Sequence, residues 1–318
     1  MNLSPQIILD QLERNEINKS FAFDQLIFFA ENSDNEQIRE EAIENLDRVG
    51  IFDNKLFEFL ENILISDSSE KIRNATLKFL ERRFLYKAIT PLKWALNHEK
   101  NYECLIIIIK SLKKANSEES KRILFNKTKE IIHTKYINKD KRIENRKFKY
   151  ALKKVLKTKK YELFTHKELS LILISFMTII NLTKLYPNVS YEINLENGLI
   201  NELDLSDYFE YEVKGIPFGW KNNIKSISEI EGLNYLKFIK KINLSNNLIE
   251  DIKELVKLKN ITHLTLSKNN ISNIKNIEYL KKFKKLEYLD LRDNEITTKI
   301  QSNDFNPSIR VLLKDSYI

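Results

Sequence analysis

The 318 residues of this chain exceed the usual size of a single compact core, which predicts about two folding units. Only 5 Gly and 1 Cys are present, which excludes a glycine-rich phosphate-binding loop, an intramolecular disulfide and a thiolate zinc site. The net charge of +8 is concentrated in residues 121–168, where 17 Lys and Arg stand against 5 Asp and Glu.

Two features of the sequence bear on where the chain works. Residues 1–10 contain no basic segment followed by an apolar one, so no signal peptide is expected. A single cysteine is typical of a reducing compartment, and we therefore expect a cytoplasmic protein. The longest apolar stretch, Leu169–Leu182, is shorter than the about 20 residues of a membrane span, so it predicts a buried helix and no transmembrane segment.

The first 186 residues predict helices joined by short polar linkers. Ser4 followed by Pro5 marks a helix start, and Asp34 and Ser68 stand where N-caps are expected. The apolar run that begins at Cys104 predicts a helix buried on most sides, with an unreactive thiol. The predicted helices lie near 19–32, 34–49, 53–66, 69–84, 87–98, 101–115, 118–136, 140–160 and 165–185.

Residues 19–115 contain a repeat with an offset of 34 residues, in which Ile38-Arg39 recurs as Ile72-Arg73. A helix-pair period of this size is typical of stacked helical repeats. The pattern resembles HEAT or armadillo repeats, whose second helices often open Asp-x-x-x-Val-Arg-x-x-Ala, and this resemblance implies an α-solenoid. An irregular helical bundle is the alternative. The resemblance depends on Asp34, Ile38, Arg39, Ala42, Ile72 and Arg73.

Steps of three and four residues predict two rows of like charge on helix faces. The basic row could meet nucleic-acid phosphates, an acidic protein surface or anionic lipid, or could only keep a lysine-rich protein soluble. It carries few aromatic residues, so base stacking is not expected. The acidic row is Glu36, Glu40, Glu44 and Asp47, and the basic row within 139–160 is Arg142, Arg146, Lys149, Lys153, Lys157 and Lys160.

The strongest pattern in the chain is a run of apolar residues and Asn, in three copies that begin at Ile239, Ile261 and Leu286. Its form, Leu-x-x-Leu-x-Leu-x-x-Asn-x-Ile, resembles leucine-rich repeats of the short subclass typified by phosphatase-regulating proteins. The resemblance implies short parallel strands on a concave face, with the Asn side chain satisfying backbone groups after each strand. Since one turn cannot bury its own apolar edge, the turns are expected to stack as an α/β solenoid.

Flanking features complete the predicted repeat region. Alternating apolar residues around Asn197-Gly198 predict a β-hairpin as an N-terminal cap. Weaker copies begin at Ile200, where Tyr208 replaces the Asn, and at Ile309, 23 residues after the third full copy begins. The long gap after the first weak copy predicts an insertion near Asp207–Lys221. Its aromatic residues either form an interaction patch or, as we favour, pack against the fold: Tyr208, Phe209, Tyr211, Phe218 and Trp220.

Strand positions between the core leucines are expected on the concave face, which leucine-rich-repeat proteins commonly use for binding. This set is mixed in charge and contains Tyr and Arg, residue types favoured at binding hot spots. A merely solvated face is the alternative. The predicted partner-binding residues are Glu202, Asp204, Lys241, Asn243, His263, Thr265, Tyr288, Asp290 and Arg292, with Ser206, Ser245 and Ser267 beside them.

These patterns together predict a HEAT-like helical domain at 1–164, an apolar connecting helix at 165–187 and a leucine-rich-repeat domain at 188–318. Neither a nucleotide-binding loop nor a His-Glu-x-x-His motif can be written, so no cofactor, metal or catalytic residue is expected. We expect a non-catalytic scaffold or adaptor that binds a protein partner. The alternatives are a nucleic-acid-binding protein that uses the basic row and, with least support, a HEAT-like nucleic-acid repair enzyme.

Overall fold

The computed structural model describes residues 4–133, 146–186, 188–207, 212–213, 216–217 and 222–314. The chain forms two compact units, Met1–Lys127 with Thr165–Ser170, and Thr128–Phe164 with Leu171–Ile318. These units do not follow the predicted boundaries at 164 and 187. The division into a helical domain at 1–164, a connecting helix at 165–187 and a repeat domain at 188–318 stays a prediction.

Helices dominate the chain, and a small sheet lies toward its C-terminal end. The described residues contain 3-10 helices at Tyr161–Leu163, Ile227–Glu229, Leu233–Tyr235, Lys253–Lys257, Glu295–Thr298 and Ser302–Asp304. The α-helices are α1 (Pro5–Glu13), α2 (Lys19–Asn32), α3 (Glu36–Val49), α4 (Asn54–Ser66), α5 (Glu70–Arg83), α6 (Ile89–His98), α7 (Tyr102–Ala115), α8 (Glu118–His133), α9 (Arg146–Thr158), α10 (His166–Leu185) and α11 (Lys275–Leu280).

Polar side chains cap several helices of the first unit, as predicted for Ser4, which accepts a hydrogen bond from a backbone N–H of α1. The predicted caps Asp34 and Ser68 are wrong by one residue. Asn35 and Ser69 have extended backbone and accept the free N–H groups at the starts of α3 and α5. Asp34 and Asn35 both have side chains that can cap a helix, and so do Ser68 and Ser69. Only the backbone geometry therefore decides which residue is the N-cap.

The helices α2 to α7 are arranged as three consecutive pairs, α2 with α3, α4 with α5 and α6 with α7. The second helices also pack on one another, α3 on α5 and α5 on α7. Leu46 and Leu80, which share the 34-residue offset, are both fully buried. A repeated helix pair is therefore observed, while membership of the HEAT or armadillo class stays a prediction.

The predicted acidic row on α3 is not an open acidic surface, because α5 supplies cations to it. Lys71 lies 3.0 Å from a carboxylate oxygen of Glu36. Arg82 lies 3.3 Å from the carboxylate of Asp47, and Arg83 contacts that carboxylate as well. Cations of α5 therefore oppose both ends of the predicted acidic row.

The apolar segment predicted as a buried helix lies within α10. This helix is long and apolar enough to cross a membrane by length and composition, and no other helix among the described residues is. However, 72% of its apolar window is buried inside the fold. Burial of this extent is what a core helix shows, so the prediction of a buried helix is confirmed.

The strands of the second unit are β1 (Ser190–Ile193), β2 (Ile200–Asp204), β3 (Glu212–Val213), β4 (Ile216–Pro217), β5 (Lys241–Asn243), β6 (His263–Thr265), β7 (Tyr288–Asp290) and β8 (Arg310–Leu312). Six of them form one sheet with the strand order β1-β2-β5-β6-β7-β8. The strands β1 and β2 pair antiparallel around Asn197-Gly198, which confirms the predicted hairpin, and all later neighbours are parallel. Two further short strands, β3 and β4, pair with each other.

The predicted asparagines join each turn of the parallel region to the preceding one. Asn269 donates from Nδ2 to the carbonyl oxygens of Leu266 at 3.0 Å in its own turn and Leu244 at 2.9 Å in the preceding turn. Its Oδ1 accepts the N–H of Ile249 at 3.0 Å. Equivalent bonds are made by two further buried asparagines, Asn247 and Asn294.

The first turn takes its asparagine from further along the chain. Asn222 donates to the carbonyl oxygen of Leu205 at 2.9 Å, the group that Asn247 also reaches at 3.0 Å. The repeat pattern predicts this asparagine at position 208. The insertion predicted at Asp207–Lys221 separates the first strand from Asn222, which takes this role instead. The predicted aromatic residues of the insertion lie outside the described residues: Tyr208, Phe209, Tyr211, Phe218 and Trp220.

Candidate binding site on the parallel sheet

The open face of the sheet carries two columns of side chains, with one residue from each parallel strand in each column. The face they form is called the sheet face below. The first column is Glu202, Lys241, His263, Tyr288 and Arg310. The second column is Asp204, Asn243, Thr265, Asp290 and Leu312. Strand register thus brings together eight of the nine predicted partner-binding residues.

Arg310 is a member of this face that the sequence pattern missed. The spacing of the last weak repeat pairs Leu289 with Leu312, whereas the observed partner of Leu289 is Val311. Because side chains alternate along a strand, a shift of one residue exchanges the two faces. Arg310 therefore joins the first column, next to Tyr288.

The first column contains polar and aromatic contacts between neighbouring strands. Lys241 Nζ lies 2.9 Å from a carboxylate oxygen of Glu202. The rings of His263 and Tyr288 stack with centroids 5.8 Å apart and an interplanar angle of 22°. The guanidinium of Arg310 lies 6.0 Å from the centre of the Tyr288 ring. The stacked rings of His263 and Tyr288, called the His263–Tyr288 shelf below, therefore lie between the Lys241–Glu202 ion pair and Arg310.

In the second column, Asp204 and Asn243 form hydrogen bonds with residues just after the ends of their strands. Asp204 Oδ1 accepts hydrogen bonds from the backbone N–H and the hydroxyl of Ser206, at 2.8 and 2.6 Å. Asn243 Oδ1 accepts the same two groups of Ser245, and its Nδ2 donates to Asp204 at 3.1 Å. These side chains stabilise the turns after the strands and leave the first column as the more accessible part of the face.

Asp290 was predicted as a partner-binding residue of the open face, but only 2% of it is exposed. Its carboxylate accepts hydrogen bonds from Arg292 Nε at 3.0 Å and Nη2 at 2.8 Å. Arg292 is thereby held as the partner of a buried acid. The three serines predicted beside this column are buried as well: Ser206, Ser245 and Ser267.

A groove of about 370 Å³ runs over the sheet face toward the hairpin. Besides the columns, it is lined by Ser190, Tyr191 and Glu192 of β1. Lys147 of α9 reaches this hairpin, where it contacts Glu192 and donates to the Tyr191 carbonyl oxygen at 3.0 Å. Among the described residues, no group of three or more His, Cys, Asp or Glu could hold a metal ion.

The predicted basic row is only partly continuous. Arg142 lies outside the described residues, and Lys160 follows the end of α9 at Thr158. The other members are on α9, three of them exposed and Lys149 half-buried: Arg146, Lys149, Lys153 and Lys157. The sequence reading missed Tyr150, which is 63% exposed on the same helix and is four residues from Arg146.

Comparison with known proteins gives little further information. No protein-family model matches the chain, and no curated protein matches it. Among solved structures it is similar to internalin C2 from Listeria monocytogenes strain 4b F2365, with 24% identity and a TM-score of 0.23. The similarity covers 29% of this chain and 37% of the internalin chain. A likeness of this extent carries no argument about function.

Proposed function

We propose that this chain is a non-catalytic scaffold or adaptor whose leucine-rich-repeat solenoid binds a protein partner on the sheet face. The first column is the observation that carries this proposal. It presents the His263–Tyr288 shelf between Arg310 and the Lys241–Glu202 pair. Aromatic and Arg side chains are the types that most often dominate protein interfaces.

The repeated asparagine bonds support the solenoid part of the proposal. Each turn satisfies its buried polar groups through its neighbours, as expected for repeats that are stable only when stacked. HEAT-like helix pairs would make the first unit a second repeat array. Extended surfaces of stacked repeats suit large, shallow partners, and weak contacts on two arrays would jointly set the affinity.

The proposal places the protein in the cytoplasm. A single cysteine supports this placement, since it is the number expected of a chain that needs no disulfide. In the fold Cys104 is fully buried. Localisation of the tagged full chain by fluorescence microscopy in its native cell tests this part directly, and a secreted or membrane-bound chain would contradict it.

The test of partner binding compares three full-length proteins as affinity baits in extract of the native cell. They are the wild type, the double variant His263→Ala with Tyr288→Ala, and Tyr279→Ala. Tyr279 is a matched control because it is a partly exposed tyrosine of the same unit that lies on α11, away from the sheet face. Captured proteins are identified by mass spectrometry, and their affinities are then measured with purified components.

We expect the double variant to lose a partner that the wild type and Tyr279→Ala both retain. Loss of two hot-spot side chains of about 2 kcal/mol each corresponds to a fall in affinity of several hundred-fold or more. Circular dichroism of all three proteins checks that the fold is unchanged. Equal capture of every partner by the three baits would show that the sheet face is not the binding surface.

A further inference from the structure

Helix α9 has the most uneven distribution of charge among the helices. Its sequence, RKFKYALKKVLKT, contains six basic residues and no acidic one. Four apolar residues lie on one side of the helix and are at most 3% exposed: Phe148, Ala151, Leu152 and Val155. The basic residues occupy the remaining surface, as a strongly amphipathic helix requires.

The apolar side of α9 is fixed within the second unit. The ring of Phe148 meets Phe176 of α10 edge to face, with centroids 5.1 Å apart, and also contacts Tyr191 of the hairpin. A Cβ atom placed on Gly198 would lie only 3.3 Å from Leu152, so the hairpin turn approaches the helix closely. No apolar side of α9 is therefore left to enter a lipid bilayer, as interfacial helices do.

The opposite side of α9 carries cations that other charges in the described structure leave uncompensated. Lys153, Lys154 and Lys157 are exposed, and none of the three has a carboxylate within ion-pair distance among the described residues. Lys147 differs, because it contacts Glu192. Three open cations within about one helical turn of 5.4 Å attract a polyanion by simple charge complementarity.

Tyr150 lies about one turn before these cations, on the same side of α9. It precedes Lys153, Lys154 and Lys157 by three, four and seven residues, which are the spacings of one helix face. Its side chain is 63% exposed. An exposed aromatic ring beside a row of cations is the arrangement that single-strand-binding surfaces use, with bases stacked on the ring and phosphates beside the lysines.

We propose that the exposed side of α9 binds single-stranded nucleic acid, with a base on Tyr150 and phosphates on Lys153, Lys154 and Lys157. An acidic protein segment would satisfy the lysines and leave the ring without a planar partner. An anionic membrane would attract the lysines, but the buried apolar side of the helix gives it no insertion surface. The inference is independent of protein binding on the sheet face, which involves other residues.

The test measures fluorescence anisotropy of a labelled oligo(U) of about 16 nucleotides, the upper end of a typical single-strand site, with the full chain. Three phosphate contacts predict an affinity that falls about 20-fold between roughly 50 and 200 mM salt. Tyr150→Ala leaves every charge in place and should weaken binding by about 5- to 150-fold through lost stacking, whereas Tyr150→Phe should restore it.

A matched pair of charge reversals separates this surface from the general positive charge of the protein. Lys153→Glu with Lys157→Glu should reduce binding more than tenfold. Lys275→Glu with Lys284→Glu makes the same change in net charge at exposed positions elsewhere in the unit and should leave most binding intact. Circular dichroism confirms the fold of each variant.

Four results would overturn the proposal. They are the absence of oligo(U) binding at low salt, equal affinity of wild type and Tyr150→Ala, equal effects of the two charge reversals, and an affinity for an RNA duplex that matches the single strand. Phosphatidylserine vesicles and poly-glutamate serve as competing ligands. If either binds the α9 surface more tightly than oligo(U), the surface belongs to that class of partner.

Discussion

Arg73 and Glu99 form a bidentate ion pair that links helix α5 to the end of α6. Arg73 donates from Nε and Nη2 to the two carboxylate oxygens at 2.7 and 2.9 Å. Glu99 also accepts the backbone N–H groups of Lys100 and Asn101, at 2.7 and 2.8 Å. Burial alone would raise the pKa of Glu99, but these hydrogen bonds, that of Arg73 foremost, hold this pKa below its ordinary value.

The first unit should therefore lose stability in acid. Because the folded pKa of Glu99 is lowered, its contribution is complete above the ordinary glutamate value of about 4.3 and disappears as pH falls through the folded pKa. Urea unfolding between about pH 7 and pH 3 should show this loss, and Glu99→Gln should reduce the pH dependence. Trp94 reports the unit when Trp220→Phe removes the other tryptophan. Identical pH dependence in both proteins would refute this role of Glu99.

Removal of one buried asparagine should destabilise the repeat region. Asn269→Ala leaves the Ile249 N–H without its side-chain acceptor. It also removes one of two asparagine hydrogen bonds from each of the Leu244 and Leu266 carbonyl oxygens, so we expect a loss of about 2–4 kcal/mol. The exposed neighbour in Asn270→Ala provides the control, with an expected change within about 0.5 kcal/mol. Urea denaturation followed by circular dichroism measures both. Similar losses in the two variants would contradict a structural role of the side-chain bonds.

A side chain at Gly198 should destabilise the hairpin turn. Its φ of +71° lies in the left-handed region, and an added Cβ would approach Leu152 to 3.3 Å. We expect Gly198→Ala to cost about 1–3 kcal/mol. Gly50→Ala is the matched control, because Gly50 also has a positive φ but its Cβ would meet only the flexible end of Lys19 at 3.9 Å. Thermal denaturation should show the larger loss for Gly198→Ala, and the reverse order would disprove the close approach of the helix.

Arg292, which follows β7, and Arg310 of the sheet face should respond differently to substitution. Arg292→Ala leaves the buried carboxylate of Asp290 without its bidentate partner and should destabilise the fold by about 2 kcal/mol or more. Arg310→Ala removes an exposed side chain and should change stability by less than about 0.5 kcal/mol. Melting temperatures of the two variants test this difference in stability. An equal loss in both would mean that Asp290 does not depend on Arg292.

Cys104 should resist thiol reagents in the native protein. Burial, the largest influence, and the nearby Glu99 together raise the pKa of its thiol to about 12. The reactive thiolate is therefore scarce at pH 7 to about pH 9, and the sulfur is also covered. Titration with Ellman's reagent should show slow reaction until urea unfolds the chain. Stoichiometric labelling within minutes in the absence of urea would contradict the buried environment.

The repeats were predictable because local rules and burial agree in them. Leu244, Leu266 and Leu291 recur at a fixed place before an asparagine, and each is fully buried. The register of the last strand was harder to predict, because either Val311 or Leu312 could pair with Leu289 as the apolar core residue. Only pairing with β7 selects the register that exposes Arg310.

The sequence by itself determined the helices, the hairpin, the parallel strands and the asparagines that join them, because burial periodicity and backbone hydrogen bonding act over a few residues. The tertiary structure decided which charges remain available. It placed Lys71 beside Glu36 and turned Arg310 onto the sheet face beside Tyr288. Such pairings depend on distances between residues far apart in the chain, and no local pattern encodes those distances.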